Sequence, residues 1–138
     1  MSQIEKVNLI SLPRIFDQRG NLSVVEGNNH IPFQIRRVYW IYDVPGGEVR
    51  GGHAYKKLNE VIIALSGSFD VVLHDGKECR VISLNRSYYG VFVPEMIWRS
   101  IENFSTNALC LILASDRYNE QDYIRDFNTF TDIQNNPE

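Results

Sequence analysis

No apolar run in this chain approaches the length that crosses a bilayer, so no membrane span is expected. The opening residues, MSQIEKVNLI, lack the charged-then-apolar layout of an export signal. There are only two cysteines, Cys79 and Cys110, far apart and outside any CxxC arrangement. In a chain read as soluble and cytoplasmic they are expected to be free thiols rather than a disulfide. Positive charge is not in excess: 14 Lys and Arg stand against 17 Asp and Glu, a net charge of -3. That balance gives no basic field and no reason to expect nucleic acid as a partner. Low-complexity segments and internal repeats are missing too. What remains is 138 residues, 43% hydrophobic and 12% aromatic. This suits one domain, residues 1–138, around a single core.

The apolar pattern is that of strands. Lys6 to Ser11 reads as an edge strand, and Phe16 to Gly20 as a turn in which Gly20 takes a positive φ. Leu22 to Glu26 and the β-branched and aromatic stretch Gln34 to Val44 follow. Phe69 to His74 and Arg80 to Leu84 flank Asp75-Gly76, a hairpin signal. Tyr88 to Val93, Ile97 to Ile101 and Ala108 to Ala114 come at short intervals, as in a β-sandwich or closed barrel. Only Asn119 to Thr129 has helical spacing, with Tyr123, Ile124, Phe127 and Phe130 toward one side, and it predicts one short C-terminal helix.

The stretch Gly47 to Gly67, GEVRGGHAYKKLNEVIIALSG, carries the chemistry. His53 and Tyr55 stand at i and i+2, so on a strand both point to one face. Polar Lys56 to Asn59 is a turn, and Glu60 to Ser66 a second apolar strand. The spacing of Gly47, His53, Tyr55, Glu60 and Gly67 resembles the first motif of the cupin superfamily, G-x5-H-x-H-x(3,4)-E-x6-G. Pro94 to Asn103 resembles the second, P-x-G-x2-H-x3-N, with Met96 in place of glycine and Arg99 in place of histidine. The resemblance selects an all-β cupin jelly-roll barrel, to which the helix is appended.

Metal-binding cupins use three histidines and a glutamate. Here His53 and Glu60 alone keep those types; Tyr55 is a poor ligand at neutral pH, and Arg99 repels a cation. No metal and no other cofactor is expected. Arg19, Arg37, Arg50, Lys56 and Arg99 lie in or near the motif segments, and turned inward they make an anion site suited to phosphate oxygens. Tyr39, Trp40, Tyr55, Tyr88, Tyr89 and Trp98 are interleaved with them. An aromatic and arginine-lined mouth suits a nucleoside diphosphate. Each of these residues also has a bland reading, with aromatics in the core and arginines in solvent. A lone strand histidine is more often structural than catalytic. The motif position of His53 reverses that, and an ordinary pKa of about 6.5 suits a general base. His30 and His74 read as surface residues, and Glu60, no longer a ligand, as the partner of an arginine.

Nearly the whole chain resembles the dTDP-4-keto-6-deoxyglucose 3,4-ketoisomerases, metal-free cupins of deoxysugar biosynthesis. The matching pieces include DQRGNLSVVE, IPFQIRRVYWIYDV, RGGHAYKKLNEVI, SGSFDVVLHDG, LNRSYYGVFVPEMIW and YNEQDYIRDFNTF. The resemblance implies a dTDP-linked 4-keto-6-deoxy sugar as substrate, isomerised to the 3-keto sugar that is later aminated, and a homodimer. Many members carry a second histidine, regarded as a catalytic base, where this chain has Tyr55. The base role then falls on His53 with Tyr55 as its partner, and Arg19, Arg37, Tyr39, Arg50, Lys56 and Arg99 are the expected substrate-binding residues. Two other readings stay open: a nucleotide-sugar-binding cupin without catalysis, and a 3,5-epimerase acting on the same substrate.

Overall fold

The computed structural model describes residues 3–136. In chain order its strands are β1 (Asn8–Ser11), β2 (Arg14–Ile15), β3 (Leu22–Ser23), β4 (Arg37–Ile41), β5 (Arg50–Tyr55), β6 (Glu60–Ser66), β7 (Phe69–His74), β8 (Cys79–Leu84), β9 (Tyr89–Val93), β10 (Trp98–Glu102), β11 (Leu109–Ala114) and β12 (Tyr123–Ile124). A helix, α1 (Phe127–Asn135), closes the described chain. Two five-stranded antiparallel sheets face each other, ordered β1-β9-β6-β11-β4 and β12-β5-β10-β7-β8, and β2 and β3 form a small separate ribbon. This is the jelly roll that the sequence resembles.

Side-chain alternation decides what lies between the sheets. In β7, Phe69, Val71 and Leu73 point inward and the residues between them outward. They meet Ile62, Val91, Cys110 and Ile112 from the opposite sheet. The apolar run of β6 does not alternate because both of its faces are covered. Ile62 and Ala64 belong to the inter-sheet core, whereas Val61 and Ile63 pack under Leu12, Ile31 and Phe33 of the N-terminal arm. Cys110 lies in that core, where burial pushes its thiol up to about 12, and Cys79 is exposed; both are free.

Several boundaries shrink relative to the sequence pattern. Of Leu22 to Glu26 only Leu22–Ser23 is paired, and the stretch from Gln34 contributes Arg37–Ile41 alone. The C-terminal helix is displaced. Asn119 to Thr129 is divided into a 3-10 turn (Glu120–Asp122), strand β12 and the start of α1. Local hydrogen bonds explain the division. The Asp122 carboxylate accepts from the Lys57 and Leu58 amides, and its carbonyl from the Lys56 amide, which pins the chain beside β5 in extended form. The Asp126 side chain then accepts from the Thr129 amide as an N-cap, so the helix starts there. Phe130, fully buried, packs on Ala54 and Ile124 with Trp98 beside it.

Phe130→Ala should lower unfolding stability by about 3–5 kcal/mol, the usual range for an aromatic core truncation. Urea denaturation measures this. A loss below about 1 kcal/mol would mean that the helix does not dock through this ring.

Candidate active site

Four strands converge at one end of the sandwich, each presenting inward positions. Tyr39 comes from β4, His53 and Tyr55 from β5, Glu60 from β6 and Arg99 from β10. Arg99 pairs opposite His53 in the ladder, and the register slips between Arg99 and Ile101. Gly51 sits at that irregularity with φ +81, and a Cβ there would lie 2.1 Å from Arg99 Nη1. Glycine therefore meets two needs at once, the left-handed backbone and the close approach of a guanidinium. Met96, where the cupin motif has glycine, keeps a left-handed φ of 61. Its amide donates to the Tyr55 carbonyl at 2.8 Å, and its carbonyl accepts from Gln134 Nε2 at 2.9 Å.

The charged centre is an ion pair out of contact with solvent. Arg99 Nε donates to Glu60 Oε1 at 2.6 Å, with the two side chains 1% and 0% exposed. Burial works against the Arg99 charge, but the carboxylate beside it carries its pKa above the ordinary value. Arg99 Nη2 also donates to Tyr39 Oη at 3.0 Å, and Tyr39 Oη donates to Glu60 Oε2 at 3.3 Å. The expectation that Glu60 pairs with an arginine is thus met, and the charge of Arg99 is largely answered within the protein.

Above this pair lies a cavity of about 320 Å³, lined by Tyr39, Arg50, Gly51, His53, Arg99, Tyr123 and Arg125 among others. A second hollow of about 290 Å³, which shares Tyr39 and Tyr123 with the first, lies between Arg37, Tyr39, Tyr118 and Tyr123. Arg37 Nε is buried there without a hydrogen-bond partner. His53 Nε2 and Tyr55 Oη are 3.0 Å apart, so the shared face read from the i, i+2 spacing is real. Tyr55 is only 3% exposed and lines neither space. Its hydroxyl lies against His53, Tyr39 (3.4 Å) and Tyr123 (3.4 Å).

His53 departs from the ordinary base expected of it. Burial, and then the nearby Arg99, Arg125 and Arg37 charges, push its pKa from 6.5 down to about 3. The imidazole is held neutral, and burial together with Glu60 drives the Tyr55 phenol upward, so it stays protonated.

The other expected binding residues divide. Tyr39, Arg50 and Arg99 meet at the cavity, and Arg37 lines the adjoining hollow behind Tyr39 and Tyr123. Arg19 does not join them. It is exposed beyond the β2–β3 ribbon and pairs with Asp17 at 2.8 Å. Lys56 is exposed in the turn after β5 and lines neither space. Tyr88 and Tyr89 border a separate hollow with Arg14, whose guanidinium stacks 3.7 Å from the Tyr88 ring centroid. Trp98 packs against Phe127 and Phe130. His30 and His74 accept local backbone amides, from Glu26 and Gly76.

Tyr123 and Arg125 were missed. They lie in the stretch read as an amphipathic helix, but Tyr123 pairs with Tyr55 in the β12–β5 ladder and so points into the site. Arg125 stacks 4.1 Å from the Tyr123 ring centroid and is gripped by Glu120 at 2.6 and 2.8 Å. Hydrogen bonds from Arg125 and Tyr118 hold the Glu120 carboxyl down at about 2. The available signal was the Asp122-Tyr123-Ile124-Arg125 ending itself.

The family model FdtA, described as WxcM-like, C-terminal, matches residues 5–135. The chain belongs to the FdtA family. Over 122 residues it is 43% identical to a TDP-4-oxo-6-deoxy-alpha-D-glucose-3,4-oxoisomerase of Aneurinibacillus thermoaerophilus, covering 88% of each chain. The structure of a 3,4-ketoisomerase from Helicobacter canadensis is similar at 42% identity and a TM-score of 0.91, over 94% of this chain and 97% of that one. A histidine-to-asparagine mutant of the 3,4-ketoisomerase QdtA from Thermoanaerobacterium thermosaccharolyticum, in complex with TDP-4-keto-6-deoxyglucose, is similar at 37% identity and a TM-score of 0.92, over 94% of each chain.

The geometry makes a pH prediction. An imidazole with its pKa near 3 is already neutral across the physiological range, so His53 should give kcat/KM no acid limb near 6.5. Between pH 6.5 and 3 the unfolded chain binds a proton at His53 that the folded chain does not. Stability contributed by the neutral imidazole is therefore present above pH 6.5 and is lost as pH falls toward 3. A rate profile from pH 4.5 to 8 tests the first statement; an inflection near 6.5 that disappears in His53→Asn would contradict it.

Proposed function

We propose that this protein is a TDP-4-keto-6-deoxyglucose 3,4-ketoisomerase, moving the carbonyl of a nucleotide-linked 4-keto-6-deoxy sugar from C4 to C3 without metal or other cofactor. The observation that carries the reading is a neutral histidine, 7% exposed, in an arginine-lined cavity beside a tyrosine hydroxyl. The isomerisation needs that set. The C3 proton, acidified by the neighbouring ketone, leaves to a base; an enediolate forms; a proton returns at C4. His53 serves as the base for both carbon-bound transfers, on one face of the sugar. The cations around the cavity oppose the negative charge that develops on the enediolate.

The hydroxyl protons at O3 and O4 need a separate carrier. Tyr55 was the sequence's candidate, but it reaches the cavity only through His53, Tyr39 or Tyr123. Tyr39 already donates to Glu60. Tyr123 Oη accepts from Tyr55 and from Arg37 Nη2, and donates to no described residue, which leaves its own proton free. We therefore assign the oxygen shuttle to Tyr123, with Tyr55 behind it. Arg50 and Arg125 are the cavity's diphosphate ligands in this reading.

The sugar product feeds amination in deoxyamino-sugar synthesis for a surface glycan, in the cytoplasm. The protein acts as a homodimer. In support, Val38 and Leu65 are exposed beside an apolar groove of about 600 Å³ on the outer face of the first sheet.

Incubation with TDP-4-keto-6-deoxyglucose, followed by NMR, should yield a 3-keto product with solvent deuterium at C4. No change would favour a binding cupin, and inversion at C5 an epimerase. His53→Asn should keep TDP binding and lose turnover by at least about 10²-fold, the lower end for a general base. Tyr123→Phe should cost more turnover than Tyr55→Phe; the reverse order would return the shuttle to Tyr55. Arg50→Ala and Arg125→Ala should each weaken TDP binding by about 1.5–3 kcal/mol in calorimetry. Unchanged affinity in both would move the diphosphate elsewhere.

A further inference from the structure

A histidine that takes a proton from substrate must offer a bare nitrogen. His53 Nε2 is engaged with Tyr55 Oη at 3.0 Å. Nδ1 has no hydrogen-bond partner among the described residues. It is not a buried orphan either, since Arg37 Nε is the sole such side-chain atom among them. Nδ1 is therefore the nitrogen open to the cavity. Whether it is bare depends on which way the Tyr55 hydroxyl points. If Tyr55 donates to Nε2, the ring proton sits on Nδ1 and the exposed nitrogen cannot act as a base. If Nε2–H donates to Tyr55, Nδ1 holds a lone pair.

We propose that Glu60, acting through Tyr39 and Tyr55, holds His53 in the Nε2–H tautomer and so presents Nδ1 as the base. Glu60 lines neither hollow of the site and is a positioning residue. Paired with Arg99 it is a carboxylate, and a carboxylate only accepts. Tyr39 is thereby fixed as the donor to Glu60 Oε2, and its oxygen is left to accept. It accepts from Arg99 Nη2 at 3.0 Å and stands 3.4 Å from Tyr55 Oη. The Tyr55 contact with Tyr123, also 3.4 Å, has the geometry in which Tyr55 donates. Both outlets for the Tyr55 proton lead away from His53, and Tyr55 is too buried for water to offer another. With its proton on either of them, Tyr55 turns a lone pair toward His53, and Nε2–H is the tautomer that complements it. The surroundings agree: a lone pair directed toward a cavity lined by Arg50, Arg99 and Arg125 is favoured over an N–H dipole.

The purpose of Nδ1 rests on the ketoisomerase reading, but the tautomer belongs to the free protein and is measured without substrate. Two-bond 1H–15N spectra of 15N-histidine-labelled protein should show His53 as Nε2–H near neutral pH. Glu60→Gln supplies an amide that can donate to Tyr39 and reverse the chain. Tyr39→Phe leaves the Arg99–Glu60 pair intact and cuts the link by removing one hydroxyl. In both variants the Nδ1–H form should grow. In Glu60→Gln, kcat should fall about 10²-fold with a much smaller change in KM, as for a base in the wrong tautomer. A wild-type Nδ1–H signal, or a tautomer unchanged in both variants, would overturn the proposal. A wild type that shows Nε2–H but does not isomerise the keto sugar would uphold the tautomer while removing the ketoisomerase reading.

Discussion

One buried ion pair organises this end of the molecule. A guanidinium and a carboxylate shut away from water are costly to desolvate, and they persist only where geometry and further hydrogen bonds answer both charges. Arg99 and Glu60 meet those terms with a 2.6 Å contact, with Tyr39 bridging them, and with the Gly51 carbonyl 3.5 Å from Nη1. The requirement spreads outward. Gly51 must lack a side chain so that the guanidinium fits, and the β5–β10 register slips at that point. His53 is buried and set against a fixed cation, and the two together keep it neutral.

The same pair stands at two of the four positions that carry metal ligands in the cupin motifs. Arg99 supplies positive charge at a place where those motifs have a ligand histidine, and Glu60 directs hydrogen bonds instead of coordinating. Among the described residues no group of three His, Cys, Asp or Glu side chains converges. Proton transfer in the proposed reaction needs a base, a hydroxyl and nearby cations, and these come from β4, β5, β10 and the β12 segment.

Much of the fold was legible because strand burial has period two. The inward residues of β7 and the hairpin after it stand out in the sequence, and so do His53 and Tyr55 on one face. That Glu60 pairs with an arginine followed from its motif position; that the arginine is Arg99 came from the structure. The illegible parts depend on tertiary contacts. Residues 119–129 have helical spacing, but three backbone amides of the β5–β6 turn bind Asp122 and hold the segment extended. That capture turns Tyr123 and Arg125 into site residues. Burial of Tyr55 behind His53 was likewise invisible, because i, i+2 spacing gives a face and not a depth. Arg19 matched the composition of an anion site, yet its nearest partner is Asp17, two residues away.

On this reading the Arg99–Glu60 pair serves the site more than the fold. Replacing both residues together, Glu60→Leu with Arg99→Met, tests it most directly. Apolar replacements of a buried pair are often neutral or stabilising, so unfolding stability should stay within about 1–2 kcal/mol of wild type. Turnover of TDP-4-keto-6-deoxyglucose should nonetheless fall by at least about 10²-fold, because Tyr39, Tyr55 and His53 lose the acceptor that orders them. A stable double variant that isomerises the sugar at the wild-type rate would contradict the account.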